Sequence, residues 1–140
     1  LIVKELLIAH DFEETCLHLD LAGIEPFTLV VVEWKKKRQL LEFVWDGNNR
    51  HLQELPWQPS IWSSSTLYNG EMRAMRQDWF REWFIGKSLT AENILDFHKH
   101  GGIGFPEVDV FMRREKVGTV SITQVIKTGA MIDMHYFPVS

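Results

Sequence analysis

The spacing of apolar residues changes along this 140-residue chain, and this change most constrains its fold. Short apolar runs separated by turn signals dominate residues 1–55, which is typical of strands joined by tight turns. Between residues 70 and 100 the apolar side chains recur every three or four positions, which predicts helices. After residue 105 strand-like segments return. The order of strands, two helices and strands predicts an α+β fold with antiparallel sheets layered with helices.

The first segments combine a strand and a short helix. Residues 1–8 are mainly aliphatic, and we expect them to form a buried strand. Residues 11–20 predict a helix, because Asp11 is a favourable N-cap and two glutamates follow it in the first turn. The chain starts without methionine inside an apolar stretch, so we expect it to be the C-terminal portion of something longer.

Three strands are predicted next. Residues 27–34 are β-branched and aromatic, which predicts a strand covered on both faces. Residues 38–45 are expected to pair with it through a lysine-rich turn. A strong turn signal, Asp-Gly-Asn-Asn at residues 46–49, leads into a short strand at residues 50–55. Together these segments predict a meander.

The central part of the chain predicts two helices. The first covers residues 70–85 with Asn69 as its N-cap, and the second covers residues 91–100 with Thr90 as its cap and a glycine pair at its end. One wide apolar stripe of the first helix consists of Met72, Met75, Trp79, Phe80, Trp83 and Phe84. Residues 108–112, 119–126 and 130–137 then predict strands, the last two joined as a hairpin.

Composition limits the classes of function. A formal charge of −4 and a pI near 5.8 argue against nucleic acid as a partner. No apolar run approaches the roughly 20 residues of a membrane-spanning helix. The single cysteine, Cys16, excludes an internal disulfide and indicates a reducing, cytoplasmic location. The length predicts one domain over residues 1–140.

A run of hydroxyl side chains is the first candidate site. Four of them precede the predicted helix at residues 70–85, whose first turn would add unpaired N–H groups and the positive end of its dipole. Arg73 and Arg76 lie in or beside that turn, so the segment suits an anion or a developing oxyanion. Alternatively the hydroxyls satisfy the backbone and the arginines face solvent. The hydroxyl residues are Ser63, Ser64, Ser65 and Thr66.

A second set of hydroxyls alternates with apolar residues. Thr119, Ser121 and Thr123 share one face of the predicted strand. This polar face either lines a cleft beside the serine run or lies exposed on an outer strand, and the sequence leaves both open. No metal site or cofactor is predicted, because His98 and His100 are two apart on a helix and face different sides.

Several segments, taken in order, resemble a known family. They are residues 62–68 (Trp-Ser-Ser-Ser-Thr-Leu-Tyr), Arg76 with Trp79 and Phe80, Phe97 with His98, and residues 119–123 (Thr-Val-Ser-Ile-Thr). This order is similar to the C-terminal half of bacterial proteins of the transport and Golgi organisation 2 family, also called the NRDE family after an N-terminal Asn-Arg-Asp-Glu motif.

The resemblance implies an N-terminal-nucleophile hydrolase-like α/β/β/α sandwich, of which this chain would be the C-terminal portion. A cysteine outside this chain would then act as nucleophile in C–N (amide) hydrolysis or acyl transfer, and no residue here is expected to be catalytic. The alternative is a non-catalytic carrier or interaction module, associated with haem or lipid handling or with secretory and Golgi organisation. The sequence leaves open whether the intact protein is an enzyme, which small molecule it takes and its oligomeric state.

Overall fold

A computed structural model describes residues 2–34, 37–64 and 68–139 of the chain. The chain divides into two compact units, Leu1–Pro59 and Ser60–Ser140. Both contain helices and antiparallel strands, which confirms the predicted α+β fold class. Within the described residues, no helix is long and apolar enough to cross a membrane.

The first unit has two short helices followed by a three-stranded sheet. The helices are α1 (Ile2–Leu7) and α2 (Phe12–His18), and the strands are β1 (Phe27–Glu33), β2 (Gln39–Trp45) and β3 (Arg50–Leu55). The strands are antiparallel in the order β1-β2-β3, so the predicted meander is confirmed.

The strand predicted over residues 1–8 is wrong, because Ile2–Leu7 is helical. Only Leu6 of this helix is buried, and Leu7 is 80% exposed. Six residues are too few for periodicity to separate a strand from a helix. Lys4, Glu5 and the leucines favour a helix once one side chain anchors it to a core.

The expectation that β1 is covered on both faces is also wrong. Phe27, Leu29 and Val31 are half-buried on one face, whereas on the other face only Val30 is half-buried and Thr28 and Val32 are exposed. Phe27 and Leu29 pack against the core of this unit, whereas Thr28 and Val32 lie on the opposite face of the sheet. The β-branched residues of β1 therefore reflect strand propensity more than burial.

The core of the first unit lies on one face of this sheet. Phe43 is fully buried at its centre and its ring meets Phe27 edge-on, with centroids 5.7 Å apart. Burying a side chain of this size contributes roughly 1.5–3 kcal/mol. Trp45 closes one end, where its Nε1 donates to the Ile24 backbone oxygen at 2.9 Å. The other buried members are Leu6, Cys16, Leu19 and Leu21.

The predicted turn at residues 46–49 is confirmed. One carboxylate oxygen of Asp46 accepts hydrogen bonds from the backbone N–H groups of Asn48 at 2.8 Å and Asn49 at 2.7 Å. These bonds, with a contact to His51, hold the pKa of Asp46 well below its usual range. Gly47 has a φ of 100°, which a residue with a Cβ rarely adopts.

The second unit consists of two helices and a hairpin. They are α3 (Gly70–Trp83), α4 (Ala91–His100), β4 (Ser121–Thr128) and β5 (Met131–Pro138). The predicted caps are confirmed, since Asn69 accepts from the Met72 N–H at 2.9 Å and Thr90 accepts from the Asn93 N–H at 3.2 Å. The two helices meet at Phe97, which is fully buried. Its ring centroid lies 5.4 Å from that of Phe80.

The strand predicted over residues 108–112 is wrong. These residues form turns and bends, and beyond them a single isolated bridge joins Arg113 to Gly118. Described residues 60–64, whose serines accept either strand or turn geometry, contain no strand. The rest of the serine run, residues 65–67, lies outside the described residues.

We expect Cys16 to resist thiol reagents in the native protein. Its side chain is fully buried, and burial, followed by the charge of Glu13, raises the thiol pKa from its ordinary value of 9.0 to about 11. A disulfide reagent such as Ellman's should therefore label Cys16 in urea but not in native buffer. Rapid labelling of the native chain would contradict this burial.

The same shift makes stability depend on pH at the alkaline end. The unfolded thiol ionises near pH 9.0 while the folded thiol keeps its proton to about 11, so the unfolded state binds fewer protons in this interval. The contribution of the protonated Cys16 thiol to stability should be fully present below pH 9.0 and should be lost as the pH rises through 11. Urea unfolding across this range should show a weaker decline for Cys16→Ala than for the unaltered chain.

Candidate functional site

A buried arginine organises the second unit. Arg76 lies on α3 and its side chain is only 5% exposed. Its Nη2 donates to the backbone oxygen of Val108 at 3.1 Å and also to that of Asp109. Both acceptors belong to the segment between α4 and β4, so one side chain satisfies backbone groups of a segment that has no sheet partner.

Tyr68 is the second partner of Arg76. Its hydroxyl accepts from Arg76 Nη2 at 2.9 Å and donates to the sulfur of Met112 at 3.3 Å. The guanidinium carbon of Arg76 also lies 3.9 Å from the Tyr68 ring centroid, a cation–π distance. The segment before α3 and the segment after α4 are therefore tied to each other through Arg76.

The surroundings of Arg76 disfavour its charge in part. Burial lowers the pKa of Arg76 from its ordinary value, Tyr68 and Asp109 oppose this shift, and the neighbouring charge of Arg114 adds to it. Arginine remains protonated despite such a shift, because its starting pKa exceeds 12. Its Nε has no hydrogen-bond partner in the described residues. The hydrogen bonds that replace the lost hydration of the guanidinium are therefore mainly those of Nη2.

Two glycines let the chain fold closely after α4. Gly101 donates its N–H to the Phe97 backbone oxygen at 2.7 Å and ends the helix, as predicted. At Gly102 a Cβ would overlap a carboxylate oxygen of Asp109, and the φ of 140° is one that residues with a side chain rarely adopt. The same oxygen accepts from the Ile103 N–H at 2.8 Å. Residues 101–113 therefore depend on glycine here and on Arg76.

The folded segment forms one side of a cleft at the end of α4. Two adjoining cavities, of about 220 and 380 Å³, share the residues Lys99, His100, Phe111 and Arg113. We call these four residues and the two cavities the α4 cleft. The smaller cavity also contains Asp109, and we name it the polar lobe after this carboxylate. The larger cavity is completed by Ile122, Phe137, Pro138 and Val139, and we name it the apolar lobe after these four side chains.

The α4 cleft brings together cations and aromatic rings. Lys99 Nζ lies 5.3 Å from the centroid of the Phe137 ring. Among the described residues, neither Lys99 nor Arg113 forms an ion pair. His100 differs, because its Nδ1 lies 2.8 Å from a carboxylate oxygen of Asp96. Two exposed cations beside apolar walls suit an organic anion.

The candidate residues predicted from sequence are spread through the second unit. Ser63 is half-buried, and Ser64 is exposed while its backbone oxygen accepts from the Tyr68 N–H at 3.1 Å. Ser65 and Thr66 lie outside the described residues. Arg73 is exposed on α3, and Arg76 is buried as described above.

The second set of hydroxyls has three different environments. Thr119 precedes β4, where its Oγ1 accepts from the Met112 N–H at 3.0 Å and thus holds residues 101–113 from the other side. Ser121 is half-buried at the start of β4. Thr123 is exposed and lines a separate cavity of about 350 Å³ between α4 and β4. A cleft shared by both sets of hydroxyls stays a prediction.

Sequence reasoning missed the residues of the α4 cleft. At this helix end the sequence draws attention only to His98 and His100, as a pair that does not form a metal site. Lys99, Phe111 and Phe137 are far apart in sequence, and no spacing rule connects them. The described residues contain no cluster of three or more histidine, cysteine or acidic side chains that could hold a metal ion.

Comparison with known proteins identifies no similar protein. No protein-family model matches this chain, and no curated protein or solved structure is significantly similar to it. The NRDE resemblance therefore stays a prediction, and the site is argued from its geometry alone.

We expect Arg76→Met to destabilise the second unit strongly. The change keeps much of the side-chain volume but removes the donor to Val108, Asp109 and Tyr68. Buried acceptors that lose a charged donor cost roughly 2–4 kcal/mol in free energy of unfolding. Urea unfolding followed by tryptophan fluorescence measures this loss.

Arg73→Met is the matched control, because Arg73 lies on the same helix but is exposed. It should change the free energy of unfolding by no more than about 0.5 kcal/mol. Equal effects of the two substitutions would show that burial of Arg76 does not hold this unit together.

Proposed function

We propose that this chain is a non-catalytic binding module for small organic anions, with the α4 cleft as its site. The observation that carries the proposal is the position of Lys99 and Arg113 beside the apolar lobe. Since neither cation forms an ion pair in the described residues, an anion entering the cleft would not have to displace an internal carboxylate from them.

The setting of the cleft supports a binding role. Residues 101–113 are held by Arg76, Thr119 and a close glycine contact, so Phe111 and Arg113 occupy a defined position before a ligand arrives. A preformed site loses less conformational entropy on binding than a disordered one. The combined volume is within the range of small-molecule sites.

The chemistry of the described residues favours binding over catalysis. Cys16 is buried with a raised pKa, which is the reverse of what a nucleophilic thiol needs. The α4 cleft contains His100 but no serine, threonine or cysteine beside it to act as nucleophile.

Saturation-transfer NMR on the 140-residue chain tests the proposal with a mixture of small aromatic and aliphatic carboxylates and phosphates. We expect at least one anion to bind and to be recovered unchanged. Arg113→Gln should weaken binding by about tenfold or more, because a charge-assisted hydrogen bond is lost. Arg73→Gln, an exposed arginine outside the cleft, should leave affinity unchanged. Absence of binding, or a loss confined to Arg73→Gln, contradicts the proposal.

The family resemblance supports a second candidate, a cysteine-dependent C–N hydrolase or acyl transferase with its nucleophile outside this chain. The observation in its favour is the α+β arrangement of antiparallel sheets with helices, which the resemblance implies. Full-length protein should then release amine from an amide substrate, and replacing an N-terminal cysteine by alanine should abolish the release. Full-length protein without such a cysteine, or with activity unaffected by its replacement, would exclude this candidate.

A further inference from the structure

The balance of charge in the α4 cleft restricts the anion that it can hold. Lys99 and Arg113 contribute two positive charges, and Asp109 in the polar lobe contributes one negative charge. His100 Nδ1 lies 2.8 Å from a carboxylate oxygen of Asp96, so His100 is not counted as a free cation of the cleft. Among the side chains that line the cleft, Lys99, Arg113 and Asp109 together carry a net charge of +1. One negative charge on a ligand neutralises it, whereas two leave an excess beside Asp109.

The carboxylate of Asp109 is fixed in place. It accepts from the Ile103 N–H at 2.8 Å and lies against Gly102. It cannot swing away to relieve repulsion without breaking that hydrogen bond. The negative charge of Asp109 would therefore repel a doubly charged group more strongly than a singly charged one, and such repulsion lowers the affinity for the wrong ligand.

The apolar lobe restricts the body of the ligand. Phe111, Ile122 and Phe137 line it together with Pro138, and its volume of about 380 Å³ exceeds that of a single phenyl ring. Phe137 already lies within cation–π distance of Lys99, so its ring and the ammonium group border the same space. Aromatic pairs contribute roughly 0.5–1.5 kcal/mol beyond the area that they bury. A flat ring is therefore favoured over a compact polar body.

We propose that the α4 cleft selects singly charged aryl carboxylates, with the carboxylate between Lys99 and Arg113 and the ring in the apolar lobe. Asp109 is the residue that determines specificity against aryl phosphates. This inference rests on the proposed function, since it names the class of anion for the same site.

Isothermal titration of the 140-residue chain at about pH 8 tests the selectivity with four probes: phenylacetate, phenyl phosphate, benzyl alcohol and inorganic phosphate. Phenyl phosphate is doubly charged at this pH, because its second pKa is near 6. The affinity for phenylacetate should exceed that for phenyl phosphate by at least about fivefold. Benzyl alcohol and inorganic phosphate should bind more weakly than either.

Asp109→Asn is the decisive variant, since the amide keeps the shape and the acceptor oxygen but removes the charge. It should raise the affinity for phenyl phosphate by about fivefold and change that for phenylacetate less. Asp133→Asn, an exposed position on β5 outside the cleft, should change neither affinity. The thermal unfolding midpoint of each variant shows whether it is folded.

The outcomes separate this inference from the proposed function. If phenyl phosphate binds as tightly as phenylacetate, or if Asp109→Asn shifts both affinities equally, the selectivity is overturned while anion binding stands. If benzyl alcohol binds as tightly as phenylacetate, or if no probe binds, the proposed function and this inference both fail.

Discussion

The second unit depends on one buried charge. Arg76 reaches from α3 to two backbone oxygens, those of Val108 and Asp109, and to the hydroxyl of Tyr68. A buried charge is tolerated only where hydrogen bonds replace its lost hydration, and removing such a partner costs more than the net contribution of the pair. Residues 101–113 have little regular structure of their own, so their position follows from this contact together with those of Thr119 and Gly102. Phe111 and Arg113 reach the α4 cleft only because the segment is held there.

Local chemistry explains which elements could be predicted from the sequence. Asp11, Asn69 and Thr90 each cap the helix that the sequence assigned to them, and the turn at residues 46–49 joins the expected strands. These signals act over two to four residues. The two wrongly predicted strands lie in segments whose structure depends on contacts with residues distant in sequence. The six-residue segment at the start is helical and packs Leu6 into a core. Residues 108–112 are not a strand, because their backbone is satisfied by turn hydrogen bonds to Phe105 and Gly101 and by the side chain of Arg76.

The candidate site was harder to predict for the same reason. Lys99, Phe111, Arg113 and Phe137 have no common spacing, and folding alone brings them together. By contrast, the residues that carry the family resemblance are largely structural. Tyr68 and Arg76 bond to each other, and Thr119 holds Met112. Phe97 packs against Phe80. The contacts of these described positions hold the second unit together.

A crystal structure of the 140-residue chain with phenylacetate bound would test the central claim most directly. The account predicts the carboxylate between Lys99 and Arg113 and the ring in the apolar lobe. It also predicts that Arg76 is buried, with its guanidinium bonded to Val108 and Asp109. A ligand bound elsewhere, or an Arg76 side chain in solvent with residues 101–113 displaced, would contradict it.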